Sequence, residues 1–106
     1  MMSIVTKTKD GEYIMFTKGA DSSIIPRLDM DEDGKLNVFN RAKQFAQDGH
    51  RIMMFAYRRF NKKTYLMFKK FVNGQHLIKH DDLASNYDFF ENKLTFLGIT
   101  AVEDAL

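Results

Sequence analysis

The sequence has no cysteine, no tryptophan and a single proline among its 106 residues. Without cysteine the chain has neither a disulfide framework nor thiol chemistry. No apolar run approaches the roughly 20 residues that a helix needs to cross a bilayer. The first residues, MMSIVTKTKDGE, lack the apolar stretch and cleavage site of a signal peptide. These absences favour a domain that works in solution.

The chain also has no large excess of charge of one sign, because it contains 16 Lys and Arg and 14 Asp and Glu, for a net charge of +2. Aromatic and basic residues alternate in YRRFNKK and FKKF, a pattern that binds single-stranded nucleic acids. The same aromatics fall at core-facing spacing, so we predict no nucleic-acid partner. The 44% hydrophobic content supplies a core, and residues 1–106 are predicted to form a single domain.

Hydrophobic periodicity predicts strands and helices in the order ββ-α-α-β-α-α-β. They are a β-hairpin at 2–17, helices at 21–28 and 36–48, a strand at 51–60, helices at 62–72 and 79–92, and a strand at 93–100. Asp10-Gly11 suits the hairpin turn, Pro26 confines the first helix to a turn or two, and Gly49 ends the second. The near-continuous apolar run at 51–60 indicates a central strand covered on both faces. The fold class is therefore α+β, an antiparallel or mixed sheet with helices packed on it.

Two stretches resemble metal sites. Residues 29–40 begin like an EF-hand loop, with acids at alternate places and Gly34 in the sixth, but Asn40 stands where a bidentate glutamate is needed. We interpret this stretch as a polar loop at 29–35 and keep weak calcium binding as an alternative. His76 and His80 share a helical spacing without the glutamate of a zinc protease or an evident third ligand. We predict no metal site.

Three further stretches carry candidate chemistry. In FTKGAD, Lys18 follows a strand, Gly19 permits a close backbone approach, and a helix then begins; that arrangement suits a phosphate. In GHRIMMFAYRR, Arg51 opens a buried strand, where its guanidinium suits phosphate oxygens. The third stretch, LGITAVEDAL, leads from a strand into the adjacent acids Glu103 and Asp104.

Three motifs in this order resemble the nucleotide-binding (N) domain of P-type ATPases of the phospholipid-transporting (flippase) subfamily. They are KGAD, the glycine-x-arginine before an apolar strand, and LG-x-T-A-x-E-D. The resemblance runs nearly end to end. It implies that Lys18, Gly19, Ala20 and Arg51 bind ATP, and that Glu103 and Asp104 lead through a hinge into the phosphorylation domain.

The resemblance further implies that this chain is the C-terminal half of that domain. The rest of the ATPase would include the phosphorylation and transmembrane domains. The chain would be a soluble, cytoplasmic portion of an integral membrane enzyme that hydrolyses ATP with Mg²⁺. It would position ATP for phosphoryl transfer to an aspartate that lies elsewhere, because the Asp-Lys-Thr-Gly-Thr motif is absent here. We therefore expect the chain alone to be inactive.

Some family features are altered or missing. His50 and Ile52 flank the arginine in place of leucine and threonine, Ala105 replaces the hinge lysine, and Pro26 is atypical. The family's adenine-stacking phenylalanine lies upstream of the first strand, so we expect weak nucleotide binding by the chain alone. Upstream strands lost from the sheet would leave an edge that favours self-association. A non-catalytic interaction module remains the alternative function.

Overall fold

The computed structural model describes residues 1–74 and 87–103. Its sheet has four antiparallel strands in the order β1-β2-β3-β4, and helices cover one face. The elements are β1 (Met2–Lys7), β2 (Tyr13–Gly19), α1 (Asp21–Ile24), α2 (Glu32–Gln47), β3 (His50–Phe60), α3 (Lys62–Gly74) and β4 (Thr95–Glu103). The α+β class and the order of these elements are confirmed. Residues 79–86 of the last predicted helix lie outside the described residues, and 87–90 form a helical turn.

The β1–β2 hairpin forms where Asp10-Gly11 predicts it. Gly11 has a φ of +81°, which costs a residue without Cβ little. The turn closes through bonds from the Thr8 amide to the Glu12 carbonyl at 2.7 Å and from the Gly11 amide to the Thr8 carbonyl at 3.0 Å. The resulting register places Met2 opposite Lys18.

The chain between the hairpin and α2 is short and tightly turned. Helix α1 ends at Ile24, and a 3-10 turn, Ile25–Arg27, follows with Pro26 near its start. A proline lacks the amide that a longer helix would need, so the predicted confinement of this helix is confirmed.

Helix α2 begins earlier than the sequence predicts. It starts at Glu32 rather than Leu36, and Asp31 is its N-cap, whose carboxylate accepts a hydrogen bond from the Gly34 amide at 2.8 Å. A Cβ on Gly34 would lie 3.1 Å from the Asp31 carboxylate, so glycine here allows close packing of the cap. The predicted polar loop is confirmed at 29–31 and wrong at 32–35, which belong to α2. The calcium alternative is wrong, because most of its supposed ligand loop is helix.

We expect Asp31→Ala to lower the free energy of unfolding by about 1 kcal/mol, since it leaves first-turn amides of α2 without their cap. Thermal unfolding followed by circular dichroism measures this loss. Asp29→Ala is the matched control, because Asp29 is exposed and precedes the cap. Equal melting temperatures for the two variants would contradict the capping role.

Strand β3 is central, as predicted, since it pairs with β2 on one side and β4 on the other. It is covered on one face only within the described structure. Met54 and Ala56 are fully buried beneath the helices, whereas Met53, on the opposite face, is 37% exposed. The predicted coverage of both faces is therefore wrong, because an apolar run shows no alternation from which the uncovered face could be identified.

An aromatic cluster joins α3 and the turn at 87–90 to the covered face. Phe90 is buried and lies 5.1 Å from Phe68 and 5.7 Å from Phe71, between ring centroids. Arg58 binds the same segment, since its guanidinium donates hydrogen bonds to the carbonyls of Phe89 at 2.9 Å and Phe90 at 3.1 Å. Burial lowers the pKa of Arg58. This packing places the helices on one side of the sheet and leaves the other side open.

Candidate functional site

The sheet face opposite the helices, here called the open face, is largely apolar. The strand register places alternate residues of all four strands on it. Five of its apolar residues are at least 37% exposed: Met2, Ile4, Phe16, Met53 and Val102. An exposed apolar surface of this kind is typical of a ligand groove or an interface.

A shallow depression on the open face contains Lys18. Its lining residues are Met2, Ile4, Phe16, Thr17, Lys18 and Phe55. Lys18 lies between Met2 and Phe55 in the strand register. Its side chain makes no hydrogen bond or ion pair with any residue that the structure describes. The depression therefore combines apolar walls, two aromatic rings and one uncompensated cation.

Arg51 is on the same face as Lys18. It is four residues from Phe55 along β3, and Phe55 is the register partner of Lys18. At the rise of a strand, the two cations are roughly 13 Å apart along the sheet. Arg51 lies beyond the end of β2, opposite Val102 of β4. The open face thus carries one cation beside an apolar depression and a second further along β3.

Gly19 and Ala20 occupy different positions from Lys18. Gly19 is buried at the end of β2, where an added Cβ would lie 3.3 Å from atoms of Met1. Ala20 is the exposed N-cap of α1, a helix of four residues. The Asp21 carboxylate accepts a hydrogen bond from the Ser22 amide at 2.9 Å, so a carboxylate already occupies this helix start. A phosphate at the start of α1, as the sequence suggests, is not supported by this geometry.

A buried polar network supports the strand that carries Lys18. Thr17, on the covered face, is 3% exposed, and its Oγ1 lies 2.7 Å from Oγ of Ser3. Ser3 also donates a hydrogen bond to the carboxylate of Glu91, which is buried. These bonds tie β1 and β2 to the segment after the 87–90 turn. They connect the part of β2 next to Lys18 to two other segments of the chain.

The remaining predicted residues lie at the end of β4. Glu103 is the last residue of that strand, pairs with His50 and is exposed. Asp104 and Ala105 lie outside the described residues. His50 contacts the C-terminal part of α2, since its Nδ1 lies 3.2 Å from the Phe45 carbonyl oxygen. The histidine that departs from the family pattern is thus part of the packing between α2 and β3.

The two aromatic rings of the depression are not among the site residues predicted from the sequence. The alternation of β2 places Phe16 on the same face as Lys18, whereas the position of Phe55 depends on the pairing of β2 with β3. Within residues 1–74 and 87–103, no group of three His, Cys, Asp or Glu could hold a metal ion. No helix among the described residues is both long and apolar enough to span a bilayer. The open face combines apolar side chains, aromatic rings and cations. This combination suits an anion with an apolar or aromatic part.

Comparison with known proteins identifies relatives that are phospholipid-transporting ATPases. The sequence matches the family described as P-type ATPase, cytoplasmic domain N, over residues 1–106. Phospholipid-transporting ATPase IH of Homo sapiens is 38% identical over 109 residues, which are 99% of this chain and 9% of that protein. Phospholipid-transporting ATPase dnf2 of Schizosaccharomyces pombe is 33% identical over 110 residues, 99% of this chain and 8% of that protein.

A plant relative extends the same similarity. Phospholipid-transporting ATPase 10 of Arabidopsis thaliana is 30% identical over 110 residues, 99% of this chain and 9% of that protein. The chain thus spans less than a tenth of the length of each of these three relatives. Since the family match covers every residue and the α+β fold agrees with it, the chain belongs to the cytoplasmic N domain family of P-type ATPases and is similar along its whole length to phospholipid-transporting members.

Proposed function

We propose that the open face binds ATP as part of a phospholipid-translocating P-type ATPase. The observation that carries this proposal is the depression around Lys18, where a cation without an ion-pair partner in the described structure lies among apolar and aromatic side chains. A nucleotide has the matching parts, a flat base and a charged phosphate chain. The base would lie against Phe16 and Phe55, and Lys18 would contact the phosphates.

Arg51 would act as a second phosphate contact. It is on the open face roughly 13 Å from Lys18 along the sheet, so a nucleotide lying along β3 would approach both cations. Gly19 and Ala20 would shape the turn that follows Lys18 without contacting the phosphates through a helix terminus. The buried bonds of Thr17 to Ser3 and of Ser3 to Glu91 would keep Lys18 positioned.

The chain's role in phosphoryl transfer would be positioning. It would hold ATP so that the terminal phosphate meets an aspartate in the phosphorylation domain, with Glu103 and Asp104 leading toward that domain. Mg²⁺ would be carried with the nucleotide, because the described residues offer no metal ligand cluster of their own. The chain would be a partial nucleotide-binding domain, on the cytoplasmic side of an integral membrane protein, and inactive by itself.

Titration of the chain with ATP and Mg²⁺, followed by backbone amide shifts, tests the proposal. We expect shifts at Met2, Phe16–Ala20, Arg51 and Phe55 at millimolar ATP, because the open face carries all the proposed contacts. The hairpin turn at 8–12 serves as an internal control, since it lies at the other end of the sheet. Unperturbed amides at both Lys18 and Arg51 would remove the proposed site.

The same titration must separate binding from self-association. Strands β1 and β4 each have one neighbour among the described residues, and the open face exposes apolar side chains. Both features favour contact between copies of the chain. Sedimentation velocity at the titration concentration measures that contact. Shifts that depend on protein concentration rather than on ATP would be assigned to it.

A further inference from the structure

Although the net charge is close to zero, acidic and basic residues are unevenly distributed along the chain. Residues 49–74 contain seven Lys and Arg and no Asp or Glu. Three of the seven are the arginines of β3, of which Arg58 binds backbone carbonyls and Arg59 lies 3.3 Å from the Glu12 carboxylate. The other four are the lysines of α3. Within residues 49–74, the cations that have no role in the fold or in the nucleotide site are therefore the four lysines of α3.

Helix α3 presents these lysines on its solvent face, here called the basic face. It consists of Lys62, Lys63, Leu66, Met67, Lys69 and Lys70, all exposed. Leu66 and Met67 are 52% and 45% exposed and lie between the two lysine pairs. The lysines make no ion pair with any described residue. Corresponding lysines of the two pairs are seven positions apart, which is about 10 Å along a helix axis.

The aromatic residues interleaved with these lysines do not reach the basic face. Tyr65 stacks on Tyr13 of the hairpin with ring centroids 3.9 Å apart, and Phe68 packs 5.8 Å from Phe60. Stacking on exposed aromatics is what a single-stranded nucleic acid requires. The basic face offers aliphatic side chains instead. Its chemistry therefore fits an anionic partner that also has apolar groups.

The width of the basic face favours a polypeptide over a lipid surface. Glu12 of the hairpin borders it, since Glu12 and Lys62 line one depression beside Tyr13. An anionic bilayer would extend past these six residues onto this border, where Glu12 is paired with Arg59 and the pair offers anionic headgroups little attraction. A single acidic helix or strand would contact the lysines and the two aliphatic residues alone.

We propose that the basic face of α3 docks an acidic polypeptide segment with two pairs of Asp or Glu seven positions apart and apolar residues between them. The acid pairs match Lys62–Lys63 and Lys69–Lys70, and the apolar residues cover Leu66 and Met67. This site is separate from the nucleotide site, because no residue of α3 lines the depression around Lys18.

Fluorescence anisotropy with a synthetic peptide tests this docking. The probe is a labelled helical peptide of about 15 residues with two Glu-Glu pairs seven positions apart and two leucines between them. We expect saturable binding that weakens as salt is raised, since exposed charges are screened. Lys69→Glu combined with Lys70→Glu should weaken binding about tenfold, because two attractions become repulsions. Leu66→Gln should weaken it about threefold, since the side chain is half exposed.

Matched controls separate the basic face from general charge. Arg41→Glu combined with Lys43→Glu reverses two exposed cations on α2 and should leave binding unchanged. A peptide with glutamine in place of glutamate should not bind. Unaltered affinity of the Lys69 and Lys70 double variant would overturn the proposal, and so would tighter binding to phosphatidylserine vesicles or to a single-stranded oligonucleotide. ATP shifts at Lys18 in the same variant report separately on the nucleotide site.

Discussion

Lys18→Ala should weaken ATP binding by the chain about tenfold. Among the described residues, the lysine is the only cation that lines the depression on the open face, and none of them neutralises it. A hydrogen bond to a charged group contributes about 1.5–3 kcal/mol, and partial solvent exposure places the expected loss near the lower end of that range. Amide-shift titration with ATP and Mg²⁺ gives the dissociation constants of both proteins.

The control for Lys18→Ala is Lys9→Ala. Lys9 is exposed at the hairpin turn, at the far end of the sheet from the depression, and its removal changes the net charge equally. We expect its affinity to remain that of the unaltered chain. Equal weakening in both variants would show a general electrostatic effect, and unchanged affinity in Lys18→Ala would exclude Lys18 from the nucleotide site.

Met54→Ala should destabilise the chain severely, whereas Met53→Ala should change its stability little. These neighbours are the same residue type on the same strand, but Met54 is 0% exposed and Met53 is 37% exposed. Truncating a buried methionine to alanine costs about 2–5 kcal/mol, through lost burial and the cavity left behind. A small domain is stable by only about 5–15 kcal/mol. The melting temperature of Met54→Ala should therefore fall by more than about 10 °C.

Urea unfolding of the two variants tests the one-sided coverage of β3. If the open face is uncovered, Met53→Ala should lower the free energy of unfolding by no more than about 1 kcal/mol. Comparable losses in both variants would mean that the open face is packed in the chain as it exists. The slope of each unfolding curve checks that the surface exposed on unfolding is unchanged by the substitution.

Local chemistry explains the parts of the fold that the sequence predicts well. Asp10-Gly11 specifies the hairpin because the turn needs a positive φ, and Pro26 ends α1 because it lacks an amide. Gly49 ends α2 with a φ of +86° for the same conformational reason as Gly11. Each of these outcomes depends on a few neighbouring residues. Periodicity and turn chemistry are sufficient for them.

The start of α2 illustrates where local reasoning fails. Acids at alternate positions with a glycine indicate a metal loop or a turn, but Asp31 followed by Glu32 and Asp33 also describes a helix cap with acids in its first turn. The correct alternative became clear only from the bond between the Asp31 carboxylate and the Gly34 amide. Gly34 was misleading because its role is close packing within a helix rather than a turn.

The hairpin and the α+β order can be predicted from the sequence, and the motifs KGAD and GHR point to the family, since all of these depend on neighbouring residues and short patterns. Which face of the sheet is open became clear from the packing of the helices, because burial depends on what the helices cover. Strand pairing placed Lys18 beside Phe55, although 37 positions separate them in the chain. Helix packing turned the aromatics of α3 inward and left its lysines exposed, because apolar rings gain more from burial than aliphatic stems that carry a charge.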